Sequence, residues 1–397
     1  ILMKRFSALI FLLLILCTTA MMLLYPQAAY QGACRGLETW SVHLVPSLLP
    51  FFIVADLLLS MGFVRFLGVL LEPIMRPLFR LPGEAGFAVA LGFTSGFPMG
   101  AILTASLKEQ QLCTAQEAAR LAAFTNNSSP LFMLIAVPVS MLHCPQLGVL
   151  LLLAHYLANF TVGILLRFTA PRAIHQVVPS GLLRIAVGQM LQYQAQHKQS
   201  IGAMLGQAVQ KGIRSIVNIG GFVLMFSVLL QLLQASQLLQ LLQQGFACLL
   251  RVLQLDTQLA AALSAGLFEM TLGAQTAAES RAPLLQQLMI ISFILGWSGL
   301  SIQAQVSSIL SGQKISSRLY CLCRPLQGLL AAAYIPLLTV LFPQILSVDV
   351  FWSTEPMPAA MPYLSLYLCP LAALLLLLLL AAFSRLYDIY RARTHLS

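Results

Sequence analysis

The chain has 397 residues, 59% of them hydrophobic and 9% charged, with a formal net charge of +10. A soluble domain carries roughly 25% charged residues, so this composition excludes a water-soluble fold. The basic excess reads first as cytoplasmic loop charge and second as attraction to an anionic partner.

Several apolar runs approach the ~20 residues that cross ~30 Å of hydrocarbon. In lipid the backbone must satisfy its own hydrogen bonds, and continuous rather than alternating apolar runs select helices over a closed barrel. The expected fold is therefore all-α and polytopic. In chain order, spans are predicted over residues 6–25, 44–62, 117–141, 146–168, 215–240, 285–310, 325–345 and 363–384. The first follows Lys4-Arg5 and resembles a signal peptide, but its length favours an uncleaved anchor in an N-terminal segment, 1–30. Two more apolar segments, 86–106 and 258–277, are broken by glycine or polar residues and are expected to be re-entrant hairpins buried in protein or lining a cavity. An amphipathic stretch precedes each, Arg65 to Leu81 and Gln243 to Leu255. The longest polar connection, 169–214, is rich in glutamine and has room for a surface helix over 181–197. It divides a first repeat (31–170) from a second (215–345) as a cytoplasmic linker, 171–214, and residues 346–397 hold a loop, the last span and a basic tail.

Charge tests this topology. With eight crossings and both termini cytoplasmic, only Arg35, Arg251 and Arg281 fall outside, and the other 19 of the 22 basic residues fall inside. The outer loop 346–361 then holds Asp349 and Glu355 and no base. No Lys or Arg is expected at the midplane.

The halves resemble each other. "ALGFTSGFPMGA" precedes a polar connector and "FTNNSSP", and "SAGLFEMTLGAQ" precedes another connector and "LGWSGLSIQAQ". Gly100 to Asn127 is 27 residues and Gly273 to Gly299 is 26. Three crossings per repeat invert the second relative to the first. Inverted repeats with interrupted helices in matching places point to a transporter site near the midplane.

A helix broken in mid-membrane exposes peptide N–H and C=O groups that can bind a solute, with helix N-termini favouring an anion. Thr125, Asn126, Asn127, Ser128 and Ser129 supply donors and acceptors at the first break, and Pro130 suits the first turn of the resumed helix. The plainer reading is a proline kink packed by polar contacts. Thr94, Ser95, Gly96 and Gly100 fall at the first hairpin tip, where glycine permits close backbone approach or merely a tight turn. Ser298, Gly299, Ser301, Gln303 and Gln305 are the counterpart break, with Ser298, Ser301 and Gln305 on one helix face; interhelical glue is the alternative. Glu269, with Thr271 beside it, is an acid within the hydrocarbon, expected to be buried and to couple a proton or cation, or to be a hydrogen-bonded structural acid. Asp56 and His155 are further polar residues in spans, His155 more readily a packed contact than a relay.

The eight cysteines have no metal-ligand spacing, and no metal or other cofactor is implied. HExxH, Walker and G-x-S-x-G motifs and paired carboxylates are lacking, as is a soluble nucleotide-binding domain, so the chain is expected to be no enzyme and any transport to be secondary or facilitated. Nucleic acid is not an expected partner. The bilayer and a small anionic solute are, and an oligomer is compatible.

"GFTSGFPMGA", "FTNNSSPLF", "GLFEMT" and "GWSGLSIQAQ" resemble the YlbJ-type sporulation integral membrane proteins (stage V sporulation protein V), within the broader group with nucleoside-recognition, or Gate, domains. The resemblance runs over about residues 35–345 and departs at Trp297 and in the glutamine-rich linker. It implies an architecture similar to concentrative nucleoside transporters, with two hairpins at a central site. It also implies a role in sporulation, moving dipicolinic acid out of the mother cell across the outer forespore membrane. A nucleoside carrier and a non-transporting spore-envelope assembly protein are the alternatives.

Overall fold

A computed structural model describes residues 2–170 and 181–341. The described residues are helical throughout, and apolar length decides which helices can cross a bilayer. By length and composition four do so alone, Leu147–Arg167, Ile201–Ala235, Leu284–Gly312 and Arg318–Leu341, and up to six if two sharply bent pairs each count as one span. The predicted span 363–384 and the basic tail lie outside the described residues.

The chain opens with α1 (Leu2–Leu24), which turns by 105° at Tyr25-Pro26 into α2 (Pro26–Glu38). A wide π-helical turn, Thr39–Leu44, leads into α3 (Val45–Ser60), followed by the amphipathic α4 (Phe63–Phe79) at 81°. Next come α5 (Ala85–Ser95) and α6 (Met99–Glu109), joined through Gly96 and a cis Phe97–Pro98 bond. At 1.5 Å per residue each arm is ~16 Å long, about half the hydrocarbon thickness.

α7 (Ala115–Thr125) starts from a reciprocal Thr114–Glu117 cap and stops at an extended stretch, Asn126 to Ser129. The helix resumes at Pro130 as a π-helical segment, Phe132–Met141, and α8 (Leu147–Arg167) returns. α9 (Leu182–Gln196) is the expected helix of the polar connection, packed on α4.

The polar connection is shorter than expected. α10 runs from Ile201 to Ala235 in one piece, capped by the Ser200 hydroxyl on the Ala203 amide, so the predicted span 215–240 begins inside the predicted linker. The Gln, Ala and Leu of "IGAMLGQAVQ" are good helix formers, and once capped the stretch has no reason to remain a loop. After α11 (Leu238–Val252) come α12 (Ala260–Phe268) and α13 (Met270–Ala278), which meet at Glu269. Then α14 (Leu284–Trp297) and α15 (Gly299–Gly312) meet at Ser298, and α16 (Arg318–Leu341) ends the described chain.

Large apolar side chains on the outside of the bundle, such as Val217, Met225, Leu329 and Val340, are exposed, whereas Asn126, His155, Arg324 and Gln327 are fully buried. That inversion is what hydrocarbon demands. Within it, small residues let backbones touch. Gly32 and Gly36, one turn apart on α2, pack directly on the α10 backbone at Val228 and Leu224. Gly92 and Gly100, on facing arms of the α5–α6 hairpin, leave a notch that holds the Thr125 carbonyl at the end of α7. Gly266 and Gly273 make the same close approach between α12 and α13.

A Cβ at position 100 would overlap the Thr125 carbonyl oxygen, a backbone atom that cannot swing aside. Gly100→Ala is therefore expected to cost about 2–3 kcal/mol, the range for overpacking a core. Gly188→Ala, on an exposed face of α9 with no neighbour near its added methyl, is expected to be neutral or to stabilise by up to ~1 kcal/mol. Thermal unfolding of the two variants in detergent checks the contrast.

Candidate functional site

Each hairpin presents its tip to the broken span that follows it. Gly96 lies against Ser129, close enough that a Cβ would come within 2.6 Å of the serine Cβ. In the second half Gly299 lies against Phe268 and Met270, the residues flanking the turn at Glu269, and the Trp297 indole donates to the Leu267 carbonyl at 3.1 Å. The two breaks are linked through Tyr320 on α16. Its hydroxyl accepts from Asn126 Nδ2 at 3.1 Å and stands 3.5 Å from Ser298 Oγ.

Beneath Tyr320 lies Arg324, fully buried, its guanidinium 4.8 Å from the phenol ring centroid. Nη1 donates to the Asn126 carbonyl at 3.1 Å and Nη2 to the Ala123 carbonyl. These are among the open carbonyls that the break strands at the C-terminus of α7, the negative end of the helix dipole. Among the described residues Arg324 has no carboxylate partner. The reading of Arg324 as a loop cation is thus corrected. Pro325 made Arg324 look like the last loop residue before a span, but α16 starts at Arg318 and carries Arg324 nearly two turns into the helix.

His155 Nε2 accepts from the Ser128 amide of the same break at 3.3 Å, which puts the proton of a neutral ring on Nδ1. Asn159, one turn along α8, donates to the His155 carbonyl at 2.8 Å. Even so, the centre is far from saturated. Buried atoms without a hydrogen-bond partner among the described residues include Asn126 Oδ1, both amide atoms of Asn127, Ser128 Oγ, His155 Nδ1 and Arg324 Nε. A buried polar group without a partner costs about 1–3 kcal/mol, so such a concentration points to a ligand-binding role.

The other expected residues divide. Thr125 is buried and bonds back to the Leu121 carbonyl, and Thr94 likewise bonds back to Ala90. Ser95 is buried without a partner, and Ser129 accepts from the Phe132 amide at 3.2 Å, starting the resumed helix. Ser301 accepts from Gln305 Nε2 at 3.4 Å, and Gln303 donates to the Trp297 carbonyl at 3.0 Å, so both glutamines serve the second break locally. Glu269 is not the buried acid expected. It is half-buried and caps α13, accepting from the Thr271 and Leu272 amides at 2.9 and 2.7 Å. Thr271 is exposed. An isolated acid in an apolar run reads as a buried one, but the helix stops at that residue and turns it into an N-cap.

Asp56 lies outside this centre, on a cavity of about 560 Å³ between α3, α6, α10 and α15. Its Oδ1 pairs with Lys211 Nζ at 3.1 Å. Lys211, Arg214 and Asn218, on the part of α10 that begins in the predicted linker, line the same cavity.

A family model described as nucleoside recognition (Gate) matches residues 41–145 and 216–345. The chain is 42% identical over 325 residues to the sporulation integral membrane protein YlbJ of Bacillus subtilis, covering 81% of this chain and 80% of that protein. It is also 33% identical over 99 residues to an uncharacterized protein of Alkalihalophilus pseudofirmus, covering 24% of this chain and 21% of the relative.

Arg324→Lys keeps a charge but loses the fork that spans two carbonyls. It is expected to destabilise the protein by about 2–4 kcal/mol, as breaking a buried charge-assisted contact does. Thermal unfolding in detergent, compared with Arg318→Lys at the start of the same helix, measures the difference.

Proposed function

The chain belongs to the nucleoside-recognition (Gate) family and, within it, to the YlbJ-type sporulation integral membrane proteins; we propose that it is a secondary transporter of a small organic anion. The observation that carries this reading is the buried centre where Arg324 and the broken α7 meet, with its surplus of partnerless donors and acceptors. A guanidinium with no carboxylate partner sets the sign of the solute: an anion entering the centre meets a positive charge and unused amide and hydroxyl groups. Dipicolinate, a small planar dianion, fits that chemistry. In a sporulating cell the direction is out of the mother-cell cytoplasm across the outer forespore membrane, with both termini cytoplasmic.

In this mechanism the two halves are inverted repeats and the hairpins α5–α6 and α12–α13 are re-entrant. Their short arms and the glycine contacts that seat their tips on the broken spans support it. The solute binds to Asn126, Asn127 and Ser128, and Tyr320 ties that break to the one at Ser298, so solute binding at one break is felt at the other. Alternating access follows when the hairpin tips and breaks move as units. Glu269, half-buried at the second hairpin tip, is the group through which a proton or cation couples.

A nucleoside carrier is the second reading, favoured by the family description and by the paired amides of Asn126 and Asn127, which suit a neutral base. Flux of labelled dipicolinate into liposomes holding the purified protein separates the readings. Dipicolinate is expected to move and unlabelled nucleosides to leave its flux unchanged; inhibition by nucleosides with no dipicolinate flux would reverse the assignment. Asn127→Ala is expected to lower the flux ~10-fold or more, the equivalent of losing about 1.4 kcal/mol of buried hydrogen bonding, with unchanged protein in the membrane. Normal spores from that variant would instead favour an assembly role.

Glu269→Gln keeps an acceptor for the α13 cap. It is expected to abolish the stimulation of flux by an imposed proton or cation gradient, with little loss of thermal stability. Unchanged stimulation would leave Glu269 as a cap alone.

A further inference from the structure

The cavity beside Asp56 follows one face of α6 from end to end. Met99, Leu103, Ser106 and Glu109 line it at helical spacing. Ten residues of helix span ~15 Å, half the hydrocarbon thickness. Exposure grades along the wall. Glu109, Lys211 and Arg214 are exposed at the rim, whereas Phe52, Met99 and Leu103 are buried at the floor. The floor ends at the first hairpin tip. Met99 adjoins Gly100, which packs on Thr125 and Asn126, so a single residue of α6 separates the cavity floor from the backbone of the break.

The rim is an ion pair held open on one side. Lys211 Nζ sits 3.1 Å from Asp56 Oδ1, but the lysine side chain is 61% exposed against 14% for the aspartate. Asp56 Oδ2 is buried with no hydrogen-bond partner, so the aspartate holds the lysine through one oxygen. Arg214 lies one turn further along α10 on the same wall. Two bases, Lys211 and Arg214, and two acids, Asp56 and Glu109, leave the rim neutral overall.

We infer that this cavity is a vestibule for a small carboxylate anion, in which the Asp56–Lys211 pair is a latch that the incoming carboxylate opens. The vestibule rests on the transport reading for its purpose but not for its ligand chemistry. The exchange is an ion-pair swap with no covalent step. A half-exposed pair is worth up to about 1 kcal/mol, so it gives way readily to a competing anion and recloses behind it.

The latch predicts opposite effects of its two halves. Lys211→Gln should raise the dipicolinate concentration for half-maximal flux about fivefold, and Asp56→Asn should lower it by a similar factor, with maximal rates less affected. An independent readout uses Ser106→Cys, whose thiol faces the cavity wall, in the full-length protein in membranes and measured against the parent chain. A negatively charged thiosulfonate should label position 106 faster in the Asp56→Asn background and slower in the Lys211→Gln background. The order should reverse for a positively charged reagent, and pyridine-2,6-dicarboxylate should protect. Equal effects of both variants, or a thiol unreactive from both sides, would overturn the vestibule while measured flux keeps the transporter. Charge-dependent labelling and protection without any flux would keep the vestibule and overturn the transport reading.

Discussion

Everything at the centre of this molecule follows from the open end of α7. A helix that stops inside a membrane strands its last carbonyls where water cannot reach them, and each unmet carbonyl is costly. Arg324 meets two of them from another helix, 201 and 198 residues further along the chain. The same contact solves the reverse problem, because a buried guanidinium needs acceptors and negative potential, and the C-terminal end of a helix offers both. The arginine and the break are therefore mutually dependent. An unbroken α7 would leave the arginine without acceptors, and an apolar residue at 324 would leave the break without donors.

Once that contact is in place, the other devices of the centre sort by the backbone group they serve. The Gly92–Gly100 notch seats the Thr125 carbonyl, the Ser129 hydroxyl starts the resumed helix, and the Glu269 carboxylate caps α13. These contacts need no solute. Of the atoms that remain, Asn127 on both its amide positions, Ser128 Oγ and His155 Nδ1 serve no backbone group, and Asn126 Oδ1 and Arg324 Nε stay open at the clamp itself. In the proposed site, rigidity and binding are thus divided between different atoms. Such a division lets a site keep its shape while its occupant comes and goes.

How much of this was legible in the sequence depended on whether the signal was local. The breaks within 125–130 and 296–301 and the first hairpin tip within 94–100 stood out because polar residues, glycine or proline interrupted apolar runs, and all three interruptions appear there, whereas the turn at Glu269 was read only as an acid in an apolar run. The helix over 182–196 was legible for the same reason. Arg324 was misplaced because Pro325 imitates a helix start, and only the packing of α16 on α7 reveals that the helix begins earlier. Lys211 and Arg214 were assigned to a loop because glutamine and glycine around them look polar, whereas the Ser200 cap extends α10 over them. His155 meets Ser128 across 27 residues, and no local pattern records such a meeting. The misses are thus contacts between distant segments, or helix ends decided by capping.

The placement of cations along the proposed path explains how an anion could be bound in a membrane without being trapped. Lys211 at the rim is engaged by Asp56, and Arg324 at the centre is engaged by two carbonyls, so neither presents a bare charge to the solute. Arg324 left unengaged in low dielectric would hold a dicarboxylate too tightly for release, since charge–charge energies there rise steeply as water is excluded. With each cation already held, the solute gains only the difference between its own contact and the one it replaces or shares. Conduction through a membrane protein requires binding strong enough to admit a solute and weak enough to let it leave. Here the protein's own acceptors, one carboxylate at the rim and the open end of a broken helix at the centre, set that difference.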